Sequence, residues 1–128
     1  MQPYDSCRLI HINLTAFVKN AFTNEAWFDY KTLQTVAKAA IRLGDDLVDL
    51  EVEAINRILE HISSSKGDNH REFQLWMAVR AAALDSRRCG VGFTGLSDTL
   101  AMLGVGFNDN GVRYTTEIMS TLFKAELE

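Results

Sequence analysis

The chain has 128 residues, 47% of them apolar and 23% charged, enough to bury the core of one domain without disulfide or metal staples. Thirteen Lys and Arg against seventeen Asp and Glu leave a net charge of -4, which argues against nucleic acid as a partner. No apolar run approaches the roughly 20 residues that span a bilayer, and Met1–Asp5 lacks the basic and apolar regions of a signal peptide. A cytoplasmic protein without a membrane partner is the expectation. The single proline, Pro3, lies ahead of long periodic segments, so a mostly α chain forming one domain over residues 1–128 is predicted.

In Ser6–Thr15 the residues alternate, with Arg8, Ile10, Ile12 and Leu14 on one face and Cys7, Leu9, His11 and Asn13 on the other. Alternation with β-branched content predicts a strand of about six to eight residues. Buried polar atoms need partners, so the polar Cys7 face points to a site rather than to a sealed core. Taken alone, Cys7 is read first as a structural, packed cysteine and His11 as a hydrogen-bonded strand residue rather than a ligand.

Lys19–Glu25 reads as a loop. Asp29 is then a helix-entry signal ahead of Leu33, Val36, Ala37, Ala40, Leu43, Leu47, Leu50 and Ala54, which recur at three and four residues. The pattern runs on through Ile62, as one long helix or as two joined near Glu51, with Gly44 its weak point. Asp45, Asp46 and Asp49 form a carboxylate group on this helix, better read as a solvated face than as a metal site.

Ser63–Asn69 is a polar connection. From Arg71, the residues Phe73, Trp76, Met77, Arg80 and Leu84 predict a helix ending near Asp85–Ser86. Arg87 and Arg88 follow, able to meet phosphate or carboxylate or to cap that helix. Gly90-Val91-Gly92-Phe93-Thr94-Gly95 matches GxGxxG, but it follows a helix rather than a strand, so it is read as glycines for helix packing and a turn, and a nucleotide-binding domain is a third-ranked reading. A short helix from Leu96 should stop at Gly104, Gly106–Gly111 should be a loop, and a last helix should open at Thr115 or Thr116. Cys7 and Cys89 lack any CxxC or Cys/His company, so neither a disulfide scaffold nor a zinc site is indicated.

Two segments together, Ser6-Cys7-Arg8-Leu9-Ile10-His11-Ile12-Asn13-Leu14 and Arg87-Arg88-Cys89-Gly90-Val91-Gly92-Phe93-Thr94-Gly95-Leu96-Ser97-Asp98, resemble the catalytic chain of ribonucleotide reductases. Ala40–Asp49 is similar to the helix that follows the cysteine-bearing strand in that family, and Thr94–Asp98 is closer to the adenosylcobalamin-dependent members. The resemblance implies that the chain is a helical fragment with one or a few short strands, part of a ten-stranded α/β barrel that reduces ribonucleotides by thiyl-radical and dithiol chemistry. It makes Cys7 one thiol of the reducing pair and places Leu9 near the substrate. Cys89 has no catalytic part in it.

The same resemblance implies adenosylcobalamin in the intact enzyme and none for the isolated chain. Its implied partners are the remaining segments of the catalytic chain, a ribonucleotide substrate and a thioredoxin-like reductant. The Asn-x-Cys-x-Glu motif, the second reducing cysteine and the phosphate-binding loop are absent from these 128 residues, so the chain alone is expected not to turn over. The competing reading is a helical interaction module without chemistry.

Overall fold

Thirty-five consecutive residues, Tyr30–Ser64, form the longest element of the computed structural model, which describes residues 3–65 and 67–127. This helix, α1, starts where Asp29 caps it: Asp29 Oδ1 accepts from the Thr32 N–H at 3.0 Å and Oδ2 from the Thr32 hydroxyl at 2.7 Å. The helix continues through Gly44 and Glu51 as one piece. Ahead of it come β1 (Arg8–Asn13), a 3₁₀ turn (Leu14–Phe17), and a two-residue hairpin of β2 (Val18–Lys19) and β3 (Trp27–Phe28). Val18 pairs with Phe28 and Lys19 with Trp27, antiparallel, so Lys19, expected to open a loop, ends β2, and residues 20–26 are the hairpin connection.

After α1 follow α2 (His70–Ser86), β4 (Cys89–Thr94), α3 (Leu96–Met102) and α4 (Asp109–Leu127). Helix dominates, as expected, with few short strands. Three expectations need correction. The glycine segment is strand β4, not a helix-packing turn, because its partner β1 supplies the backbone pairing that glycine-rich residues cannot specify locally. Helix α4 opens at Asp109, six residues before Thr115, where Asn108 Oδ1 accepts from the Asn110 N–H at 3.2 Å. On α1, Leu43, Leu47 and Leu50 are exposed while Gly44 and Val48 are buried, so the packed stripe lies one residue on from the expected leucines.

β1 and β4 form a two-stranded sheet. Gly90 lies against Leu9 and Gly92 against His11, an order that runs the same way along both strands, so the pair is parallel.

The chain divides into two compact units, Met1–Leu9 with Arg42–Gly90, and Ile10–Ile41 with Val91–Glu128. In the first, Val48, Ile55, Leu59, Ile62, Ala82 and Ala83 are buried, and Arg80 Nε donates to Asn56 Oδ1 at 2.7 Å. In the second, Ile12, Leu14, Phe17, Phe28, Leu33, Ala37, Ala40, Ile118 and Ala125 make one apolar cluster. Leu14, Leu33 and Ile118 are fully buried, each contributing roughly 1.5–3 kcal/mol by removal from water.

Candidate active site

Strand periodicity decides which β1 side chains are open. Arg8, Ile10 and Ile12 turn inward, whereas Leu9, His11 and Asn13 are exposed. Cys7 lies one residue ahead of the strand, on the same side as Leu9, and its thiol is free and exposed. The sequence-predicted pair, Cys7 and Leu9, therefore shares one open face, with Leu9 69% exposed.

Glycines of β4 make room for the side chains of β1. A Cβ on Gly90 would stand 3.0 Å from Leu9 Cδ2, closer than ordinary contact. Farther along, in the second unit, a Cβ on Gly92 would stand 3.2 Å from His11 Cδ2. The bare residues of β4 thus alternate with Cys89, Val91 and Phe93, and Val91 and Phe93 pack against the apolar cluster. Cys89, free and half-buried, belongs by alternation to that opposite side. The two thiols are directed to different faces.

The Cys7 segment is fixed by charges that sequence reading did not connect. Ser86 Oγ donates to Asp5 Oδ1 at 2.7 Å, and Arg88 Nε pairs with Asp5 Oδ2 at 2.5 Å. The Ser86 hydrogen bond chiefly, with the Arg88 cation, holds the Asp5 carboxyl below its ordinary value of 3.8 against the opposing effect of desolvation. Ser6 Oγ donates to Glu51 Oε1 at 3.2 Å, and the Arg8 guanidinium pairs with Glu51 Oε2. The Arg8 N–H donates to the Arg88 carbonyl at 3.2 Å.

Arg87 resolves the choice between capping and carboxylate binding by doing both. Its backbone is left-handed, φ 40°, and its N–H closes α2 on the Ala83 carbonyl at 3.1 Å. Its guanidinium reaches Asp45 and Asp49, each at 2.8 Å. These bonds raise the Arg87 pKa further and lower that of Asp49. The Asp45 and Asp49 carboxylates are thus arginine partners. Asp5, Ser6 and Glu51 escaped sequence reading because their partners are distant along the chain; the available signals were the Ser and Arg on either side of Cys7 and the carboxylate-binding capacity of Arg88.

Among the described residues no group of three or more His, Cys, Asp or Glu could hold a metal ion. A concavity of about 250 Å³ in the second unit is lined by Val91, Gly92 and Phe93 of β4 and by Met119, Leu122, Phe123 and Glu126 of α4. Among the described residues no helix is long and apolar enough to cross a membrane.

The family model described as the ribonucleotide reductase barrel domain matches residues 1–128. Two curated relatives, both named vitamin B12-dependent ribonucleoside-diphosphate reductase, come from Mycobacterium tuberculosis strains CDC 1551 / Oshkosh and ATCC 25618 / H37Rv. Each is 27% identical over 124 residues, covering 96% of this chain and 14% of the relative. The chain therefore spans about a seventh of the length of these relatives. No solved structure matches.

Proposed function

The chain belongs to the ribonucleotide reductase barrel-domain family, and from that premise we propose that it is the part of a B12-dependent reductase catalytic chain that carries one thiol of the reducing pair, Cys7. The supporting observation is the open face of β1, where Cys7 is an exposed free thiol two residues from the exposed Leu9. In this reading β1 and β4 are neighbouring strands of the ten-stranded barrel, and the exposed side of Cys7 and Leu9 faces a ribonucleotide, of the diphosphate class named for the relatives. Leu9 packs against the nucleotide.

The chemistry assigned to Cys7 is two-electron reduction with a second thiol from outside these residues. The ribonucleotide 2′-C–O bond breaks and a 2′-C–H bond forms, the oxygen leaves as water, and the two thiols become a disulfide. A thioredoxin-like dithiol then returns the pair to the reduced state. The radical that opens the cycle arises on other segments, and the isolated chain carries out no turnover.

The test compares Cys7→Ser and Cys89→Ser in the complete reductase, with deoxynucleotide yield and free-base release measured for each. Serine keeps the size of the side chain but cannot form the disulfide. Cys7→Ser should abolish dithiol-driven deoxynucleotide formation and release free base, while Cys89→Ser should leave turnover largely intact. Normal yield from Cys7→Ser would remove the assigned role, and loss only in Cys89→Ser would transfer it.

A further inference from the structure

Cys7 is flanked by two residues that share one partner. On its N-terminal side the Ser6 hydroxyl donates to Glu51 Oε1 at 3.2 Å. On its C-terminal side the Arg8 guanidinium pairs with Glu51 Oε2, with the Arg8 side chain only 12% exposed. Glu51 stands on α1, 45 residues from Ser6 in sequence, and all these groups lie in the first unit. The arrangement is suited to a carboxylate, because each oxygen accepts from a different donor while the negative charge matches the guanidinium. Arg8 Nη1 also donates to the Ser6 carbonyl at 3.3 Å and to the Arg88 carbonyl at 3.4 Å, which closes the bridge across the Cys7 backbone.

Resting on the redox reading of Cys7, we propose that Glu51 is a positioning residue for that thiol: it grips the residues on both sides of the cysteine and so fixes the thiol at the start of β1 on the open face. Disulfide formation demands a narrow Cβ separation and dihedral angle, and a reacting group held near its attack geometry reacts faster than one that samples many. An exposed cysteine one residue outside a strand has no packing to hold it. The Glu51 bridge supplies that restraint from a neighbouring helix without occupying the face on which substrate would lie. Loss of the bridge should therefore slow reduction and leave substrate affinity alone.

Two arms test this. In the first, the 128-residue chain carries Cys89→Ser so that Cys7 is the sole thiol, and its exchange rate with hydroxyethyl disulfide is measured folded and in urea. The folded rate should differ from the unfolded one. Glu51→Ala should shift it at least threefold towards the unfolded value, and the nearly isosteric Glu51→Gln, which retains an acceptor for Ser6 but loses the ion pair, should shift it partway.

Far-UV circular dichroism verifies that each variant is folded at the assay temperature, and Glu51→Gln decides the matter if Glu51→Ala is not. A purely structural role would lower the melting temperature without moving the exchange rate. Equal rates for parent and folded variants, or a parent rate equal to that of the unfolded chain, would overturn the proposal.

The second arm uses the complete reductase, where Glu51→Gln should lower dithiol-driven kcat about tenfold at unchanged ribonucleotide KM. Unchanged kcat would overturn the proposal. Cys7→Ser run alongside separates the two ideas: full activity there defeats the redox reading, whereas loss there with wild-type behaviour of the Glu51 variants defeats only the positioning role.

Discussion

Gly95 stands where two short helical elements start, and replacing it by alanine should be among the costlier single-methyl additions in this chain. Its φ is +74°, and its carbonyl accepts the Thr99 N–H at 2.9 Å to begin α3. An added Cβ would lie 2.8 Å from Asn13 Oδ1 and 3.2 Å from Thr15 Cγ2. Asn13 Oδ1 is itself occupied, capping the 3₁₀ turn through the Thr15 N–H at 3.2 Å and the Thr15 hydroxyl at 2.9 Å. A left-handed residue with a Cβ costs about 1–2 kcal/mol, and a displaced Asn cap costs about 1 kcal/mol more.

The sum, about 2–3 kcal/mol, should lower the melting temperature by roughly 10 °C in a domain of this size. Two other glycines separate the contributions. Gly104 has φ +69° with nothing within 4 Å of an added Cβ, so Gly104→Ala should show the backbone cost alone. Gly106 has neither a positive φ nor a neighbour within 4 Å, so Gly106→Ala should be neutral or stabilise by up to about 1 kcal/mol. Thermal melts followed by far-UV circular dichroism measure all three. A Gly95→Ala protein no less stable than Gly104→Ala would refute the reasoning about the Asn13 cap.

The Asp29 cap should be visible in acid. Hydrogen bonds from the Thr32 backbone and then its hydroxyl hold the Asp29 pKa below 3.8, so its stabilising effect is present above about pH 4 and disappears as pH falls through the folded value. Urea unfolding should show Asp29→Ala weaker than the parent at about pH 6 and indistinguishable from it near pH 2, and a constant gap would contradict this. Tyr30 gives the alkaline counterpart: burial chiefly, then Glu117, raises its pKa above the ordinary 10.0. Stability linked to the protonated phenol is complete below about pH 10 and declines as pH rises towards the folded value, so Tyr30→Phe should flatten the loss above about pH 10. An unchanged alkaline slope in Tyr30→Phe would assign that loss to other groups.

What could be read in the sequence was what is encoded locally. The alternation of Ser6–Thr15, the Asp29 entry to α1, the end of α2 near Ser86 and the stop of α3 at Gly104 all depend on neighbours within four residues. β4 was not legible, because its glycines carry no side chains to signal a strand and its partner lies about 80 residues earlier. Gly111 inside α4 misled in the same way: a residue typical of loops is buried there in a helix. On α1 two apolar stripes fit one helical period, and only tertiary packing chose Gly44 and Val48 over Leu43 and Leu47. The candidate thiol face could be inferred, but Glu51 could not, since nothing near it in sequence distinguishes it from a solvated helix carboxylate.

The choice between the two cysteines follows from the register of one parallel pair. Because Gly90 and Gly92 oppose Leu9 and His11, the odd-numbered residues of β4 must turn to the other side, and Val91 and Phe93 show where that side leads by packing on the apolar cluster. Cys89 starts that inward series, while Cys7 precedes the outward series of β1. A slip of one residue in β4 would reverse its assignment, bringing Cys89 to the open face and putting Val91 and Phe93 there with it. The packing of those two half-buried side chains on the second unit's apolar cluster opposes the slip, because the exposed alternative would put both back into water.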